Sequence, residues 1–397
     1  MFDISSTLHF SSLTISFYIM QGLLGAFCFY YAKRSERKTG VEVSLKNKYL
    51  FAWWFLWVFF AVMRFVNPMV GGTDAPSYID YFMNCNTGAM KSWYEHVEGD
   101  LGFKWLTKIC RYVAGEYRFY FFVVYGFIAF AFIKFLKAFT PAKTNVIPFL
   151  LTFYLFLRGY NTLRSNLAIA LIAIGCIFII EKKWKYAYLI GFASVLIHKS
   201  AIIYAMGIPF CHCFFERKLS IKMAVFLILG SSLIGRTLQG YFIEYAVSTD
   251  LNGAYASYAQ RSIGVSFFSN AWKIAFEQMV LALTMLLMRK KIGRDHDAKD
   301  LTRLNVVWML CIFDFILIPI NFIIGSWRGY EFFYLARLVM WGECCYQLLQ
   351  HKTLRTRLFL QIMLLCCFVS WMAFRIYSTW EDSHLLPYVF EPFLQFN

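Results

Sequence analysis

The sequence predicts an all-α, polytopic membrane protein, and three observations predict it. The composition is 59% hydrophobic and 20% aromatic with a mean hydropathy of +0.53, more apolar surface than a soluble domain of 397 residues can hide. Only 16% of residues are charged. Apolar runs near the roughly 18-residue length that crosses a bilayer recur along the whole chain. The net charge of +16 does not indicate a nucleic-acid partner, because Lys and Arg sit in short clusters between apolar runs and form no single stripe. The opening MFDISSTLHFSSL lacks a basic n-region, so a cleaved signal peptide is not expected.

Taken in order, the apolar runs centre on residues 13–31, 49–66, 118–136, 146–157, 163–180, 186–197, 200–215, 221–236, 271–288, 304–324, 331–349 and 357–377. That predicts about twelve crossings in a single integral membrane domain over 1–397. Basic clusters occupy 33–48, 134–143, 182–185, 217–222, 289–303 and 352–357. Placing them all on the cytoplasmic side puts the loops near 67–116 and 237–270 outside. Were 186–210 one helix, every later loop would flip and Arg289, Lys290, Lys291 and Arg294 would face outward. A break at His198-Lys199 avoids this and sets His198 near the outer face, in a turn tolerated where it is buried in protein or lines a wet cavity.

The loop from Asn67 to Tyr117 opens on NPMVGGTDAPSYIDYF. Gly71-Gly72 allow a tight turn, Asp74-Ala75-Pro76 read as a helix start, and Tyr78, Tyr81 and Phe82 are available to an interface or a sugar face. Residues 102–113 alternate apolar and basic positions at helical spacing, as an interfacial helix does. The later outer loop is rich in Tyr, Ser and Gly, suited to carbohydrate but equally to an ordinary surface. Of the 11 cysteines most lie in apolar runs as small core residues. Cys85 and Cys110 share one loop and could pair in an oxidising compartment. Cys211-His212-Cys213 is too tightly spaced for a metal site without further ligands.

Chemistry concentrates between Leu157 and Ser200. Arg158 and Arg164 stand at one edge of a membrane run, where a guanidinium can bind phosphate bidentately at any working pH. They could instead mark a helix end, snorkelling to headgroups, but outer-face arginines run against the positive-inside bias. His198, expected on the same face, titrates near neutrality and can accept a proton from a sugar hydroxyl, with Lys199 beside it. Asp74 reads either as a helix cap or as a carboxylate that orients an acceptor. Arg261 and Arg328 are further outer-face anion contacts. Asp314 and Glu343 fall within apolar runs, where a lone charge costs about 2.5–3.5 kcal/mol, so a pair such as Asp314 with Arg337 is expected. Asp295-His296-Asp297 resembles the metal-holding motif of nucleotide-sugar transferases, yet no nucleotide-binding fold surrounds it; no metal and no cofactor are expected.

The order GGTD-x3-Y, then R-x5-R-x3-A, then an apolar run ending H-K-S-A resembles the EpsG-like family of polysaccharide polymerases, which are related to the Wzy-type O-antigen and capsule polymerases. On that resemblance the acidic motif falls on Gly72, Thr73 and Asp74, the arginine on Arg164 and the histidine on His198. The resemblance implies a GT-C-like glycosyltransferase of the bacterial inner membrane, its active site facing the periplasm. It would transfer a glycan from an undecaprenyl-diphosphate carrier to another carrier-linked repeat, within the lipid bilayer and with a chain-length regulator as a potential partner. The expected roles are Arg164, His198 and Asp74 in catalysis, and Arg158, Lys199, Arg328, Arg261 and Tyr78 on the diphosphate or glycan. Two other classes share a cationic cavity or an intramembrane histidine: a lipid-linked-oligosaccharide flippase, although the halves 1–200 and 201–397 do not align, and a membrane acyltransferase acting on glycans.

Overall fold

The structure, a computed structural model, describes residues 7–40, 42, 44–66, 71–86, 100–215, 222–231, 272–323, 327–350 and 352–383; among them helices dominate and no strand occurs. In chain order the first helices are α1 (Thr7–Thr39), α2 (Lys48–Val62), α3 (Ala75–Asn84), α4 (Leu101–Ala114) and α5 (Tyr117–Phe139). A 3-10 turn (Ile147–Leu151) then runs into α6 (Thr152–Arg158), followed by α7 (Leu163–Ile180), α8 (Trp184–Ile197), α9 (Ala201–Ala205) and α10 (Gly207–Phe214). The rest comprises α11 (Lys222–Ser231), α12 (Trp272–Met288), α13 (Ala298–Ile323), a second 3-10 turn (Trp327–Glu331), α14 (Tyr334–Leu349) and α15 (Leu354–Ser383).

Among the described residues, five stretches are long and apolar enough to cross a membrane: Leu13–Thr39, Tyr117–Phe139, Leu163–Ile180, Ala298–Pro319 and Leu354–Ser378. The chain is therefore a helical, multi-pass membrane protein. Of the about twelve crossings expected, these five are long enough by themselves, and six further described apolar helical stretches have 10–17 residues. The 14 residues of α8 reach only about 21 Å, short of a hydrocarbon core of about 30 Å. Local chemistry sets these breaks. Asn145 Oδ1 accepts from Ile147 N (2.9 Å) and Pro148 follows, which starts a 3-10 turn. The 200–215 run divides at Met206 into α9 and α10.

Burial separates the middle of the bundle from its rim. The crossing stretch of α7 is 78% buried and that of α15 only 17%, so α7 is central and α15 faces the surroundings. Gly175 and Gly191 let α7, α8 and α10 pack closely: a Cβ on Gly175 would lie 3.4 Å from the Ala187 carbonyl of α8, and one on Gly191 would lie 2.8 Å from Ile208 of α10. α2 is pinned to α5 by Trp54 Nε1 donating to the Gly126 carbonyl (2.8 Å).

Within the loop expected over 67–116, the described helices α3 and α4 fold onto the bundle. Tyr78, Tyr81 and Phe82 of α3 and Phe103 of α4 are all buried. This corrects the expectation that the α3 aromatics face an interface or a sugar. The rings are spent on packing, Phe82 stacking on Tyr120 at 5.2 Å and Tyr78 meeting Phe103 edge-on at 5.8 Å. On the other side of α4, Leu101, Trp105, Ile109 and Tyr112 are exposed, the apolar stripe of an interfacial helix. Cys85 and Cys110 are not joined in a disulfide.

At the opposite end the basic clusters converge. Lys33 Nζ donates to Thr140 O (2.8 Å), and Glu42 accepts from Lys299 (2.9 Å) and Arg303 (3.0 Å) with Lys137 at 3.5 Å. Partial burial pushes the Glu42 carboxyl up, but the Lys299 hydrogen bond and the charges of Arg303 and Lys137 outweigh it and hold it at about 2. His296 Nε2 pairs with Glu343 (2.8 Å), which also accepts from Gly293 N (3.0 Å) and Gln347 (2.9 Å). Burial lowers the His296 imidazole, yet the Glu343 hydrogen bond and charge, with Asp300, prevail and raise it above its ordinary value.

Linkage then gives each group a pH window. The stability from Glu42 is complete above the unfolded glutamate value and is lost as pH falls through about 2. That from His296 is complete below the unfolded histidine value and is lost as pH rises through the raised folded value. Thermal melting of the purified protein should therefore drop as pH rises above the ordinary histidine value and through the raised folded one, and His296→Gln should flatten that drop. An unchanged alkaline slope in the variant would remove His296 from the account.

Candidate functional site

The site grows from the turn between α6 and α7. Arg158 O accepts from both Thr162 N and Thr162 Oγ1 (2.9 Å each), which closes residues 158–162 into a tight bend. The GGTD loop docks onto this bend. Gly72 has φ +112°, and a Cβ there would lie 2.5 Å from the Tyr160 carbonyl, so the approach requires glycine. Asp74 N then donates to Asn161 Oδ1 (2.8 Å). Beneath it, buried Arg64 donates to Gly71 O (3.1 Å), to the Ala61 carbonyl and to the Tyr125 hydroxyl (2.7 Å), its guanidinium 4.3 Å from the Tyr160 ring centroid. Asp74 occupies the N-cap position of α3, but its carboxylate makes no capping hydrogen bond, which corrects the cap reading.

Arg164 and His198 meet at a residue that sequence reasoning did not single out. Asp100 Oδ2 accepts from Arg164 Nη1 at 2.7 Å and faces His198 Nδ1 at 3.3 Å, while Oδ1 accepts from Lys199 N at 3.1 Å. Lys199 thus enters through its backbone amide, and its side chain is exposed. The Tyr78 hydroxyl is within hydrogen-bonding reach of the same guanidinium. Buried at 2% exposure, Tyr78 supports Arg164 and does not face a ligand, a correction to its expected glycan contact. It lies one helical turn beyond Asp74, which links the GGTD loop to the cluster.

Asp100 is 3% exposed, whereas the side chains of Arg164 and His198 are 12% and 17% exposed. The carboxylate is the floor, and the guanidinium and the imidazole are the accessible wall. Two local features hold it there. Asp100 is the N-cap of α4 yet makes no side-chain cap, forgoing a contact worth about 1 kcal/mol. Gly102 lets α4 press against the end of α8, where a Cβ would lie 3.0 Å from the Leu196 backbone carbon. The residue pattern Asp100-Leu101-Gly102 was the available signal, a capping residue just before a helix with glycine in its first turn.

Arg158 points to the other side of the bend. Its Nε pairs with Glu331 Oε1 at 2.8 Å, in a buried network that joins α6, α12, α13, α14 and α15. Arg337 Nη1 bonds Asp314 Oδ2 at 2.6 Å, as the sequence led us to expect, and Arg337 Nη2 bonds Tyr330 O at 2.5 Å. Gln278 donates to the same Asp314 oxygen (2.9 Å), Glu277 lies 3.7 Å from Arg337, and Arg375 stacks over Tyr154 at 4.9 Å. Burial forces each of these charges to find an opposite one. The charge of Arg158, expected on a diphosphate, is matched by Glu331 in this structure.

Arg261 lies outside the described residues. So does the side chain of Arg328, although its backbone belongs to the 3-10 turn Trp327–Glu331. Among the described residues no group of three or more His, Cys, Asp or Glu side chains is placed to hold a metal ion. His296 of the Asp295-His296-Asp297 motif is taken by Glu343, and His212 stacks on Trp184 at 4.0 Å.

Neither a curated protein nor a solved structure matches the chain. A family model does, over residues 48–390, a span that contains the GGTD loop, Asp100, Arg164, His198 and the buried network. The chain belongs to the EpsG family, a Wzy-like family of polysaccharide polymerases.

Proposed function

We propose that this protein joins undecaprenyl-diphosphate-linked oligosaccharide repeats into O-antigen or exopolysaccharide at the periplasmic face of the bacterial inner membrane. The reading rests on one observation above the family itself: a guanidinium and an imidazole share one carboxylate at the end of the bundle opposite the basic belt. The further short apolar helices would complete about twelve crossings of one GT-C-like membrane domain.

In this reaction the anomeric C–O bond to the carrier diphosphate breaks and a C–O bond to the acceptor hydroxyl forms. Negative charge develops on the departing diphosphate, where Arg164 supplies preorganised positive charge in a low-dielectric setting, and no divalent cation is called for. The hydroxyl proton passes to His198, through the imidazole nitrogen turned away from Asp100. Asp74, at the mouth of the site, orients the acceptor. Lys199, Arg328 and Arg261 are secondary contacts to the anionic substrate.

A deletion strain complemented with variants tests this. Deleting the gene should leave single-repeat glycan on the cell surface, and His198→Gln should restore no polymer despite normal accumulation in the membrane. Complete loss of surface glycan would instead indicate a flippase. Cysteine accessibility that put position 198 on the cytoplasmic side would favour an acyltransferase.

A further inference from the structure

The proposed chemistry uses Arg164 and His198 and leaves their shared partner without a task. We infer that Asp100 is the positioning carboxylate of the site, fixing the tautomer of His198 and holding Arg164 until the donor's diphosphate takes the guanidinium over. This inference rests on the polymerase reading.

A neutral imidazole carries its proton on one nitrogen only. With Nδ1 facing Asp100 Oδ2 at 3.3 Å, a carboxylate that can only accept, the proton is held on Nδ1 and the lone pair on Nε2. Nε2 is then the atom that receives the acceptor hydroxyl's proton. The carboxylate itself is held in place. Its second oxygen accepts from Lys199 N at 3.1 Å, and the close packing of Gly102 on Leu196 stops α4 from sliding along α8. Lys199 follows His198 directly, so one carboxylate grips both the ring and the main chain beside it.

The charges around the imidazole come from each packed element: Asp100 on α4, Arg164 on α7, the Tyr78 hydroxyl on α3 and the adjoining Lys199. Among the described residues Asp100 is the carboxylate that these groups share. A diphosphate arriving at Arg164 competes with Asp100 for the guanidinium. Each N–H bond that moves to phosphate leaves the carboxylate charge directed more fully at His198. Donor binding and readiness of the base are thereby coupled through a residue that touches neither sugar.

The test uses the full-length protein in lipid nanodiscs, with the lipid-linked repeat extracted from the deletion strain as donor and acceptor. Asp100→Asn is nearly isosteric, but its amide can donate to Nδ1 and so favours the opposite tautomer. We expect kcat to fall by about 10³–10⁴-fold with KM for the repeat changed by less than about threefold. Asp100→Glu restores the carboxylate and should recover part of kcat. A carboxylate that only braces the fold predicts lost accumulation or altered KM, with no such split. Wild-type kcat in Asp100→Asn overturns the inference while leaving the polymerase reading intact. Should the Asn variant not accumulate, Asp100→Ser decides: wild-type kcat without a carboxylate overturns the proposal, and a loss of about a hundredfold or more at unchanged KM supports it. A wild-type protein that elongates none of the repeat sinks both.

Discussion

Arg164→Ala is expected to abolish long-chain polysaccharide, with a drop in polymerisation rate of about 10³-fold or more. Removing one preorganised donor from a developing oxyanion costs on the order of 10²–10³ in kcat, and a guanidinium presents several donors to a diphosphate. The variant also strips Asp100 of its 2.7 Å partner. A buried carboxylate left alone is costly, so the rate must be read against the amount of protein in the membrane. Here the cost is softened, because Asp100 keeps the Lys199 amide and the His198 ring. Arg164→Lys separates charge from geometry. It retains the cation but loses the planar fork, and should accumulate normally while recovering only a minor part of the rate. Glycan gels with immunoblots of the same membranes measure both quantities. A normal polymer length distribution in Arg164→Ala would remove this residue from the mechanism.

Arg337→Ala should have the largest effect on stability, about 3–5 kcal/mol, enough to deplete the protein from the membrane. The residue is 2% exposed and Asp314 is 0% exposed, so truncation leaves a buried carboxylate that has lost its 2.6 Å cationic partner and keeps the Gln278 amide. The double variant Arg337→Met with Asp314→Leu should be less damaging than Arg337→Ala alone. It removes both charges and leaves apolar groups of similar volume, a change that in other proteins is neutral or stabilising. Melting of detergent-solubilised protein and its elution profile check the order. If the double variant is the worse of the two, the network does more than neutralise charge, and Arg158 with Glu331 becomes the next pair to examine.

The pair of arginines illustrates how sequence and structure divide the problem. By residue chemistry alone Arg158 and Arg164 look the same, one side chain at one edge of one apolar run, and only the family resemblance singled out Arg164. The bend at 158–162 turns them to opposite sides, one toward Glu331, 173 residues away, the other toward Asp100, 64 residues away. No local periodicity encodes that choice, since it depends on which distant carboxylate the packed helices deliver. The same reason hid Asp100, which reads locally as an ordinary helix cap. Tyr78 was misjudged because an aromatic beside a charged loop looks alike whether it meets a ligand or the core. The Asp314–Arg337 pair was legible, because the cost of a lone charge inside an apolar run allows few outcomes.

Composition and hydropathy by themselves determined that this is a helical membrane protein, for the transfer of apolar residues from water depends on their number and order alone. The GGTD, arginine and histidine motifs likewise marked the family from the chain's own order. Only the tertiary structure decided which helices are long enough to cross, which arginine is neutralised, and which carboxylate gathers Arg164 and His198. Those outcomes depend on contacts between residues far apart in the chain, where burial gives a single opposite charge or a single glycine its decisive weight.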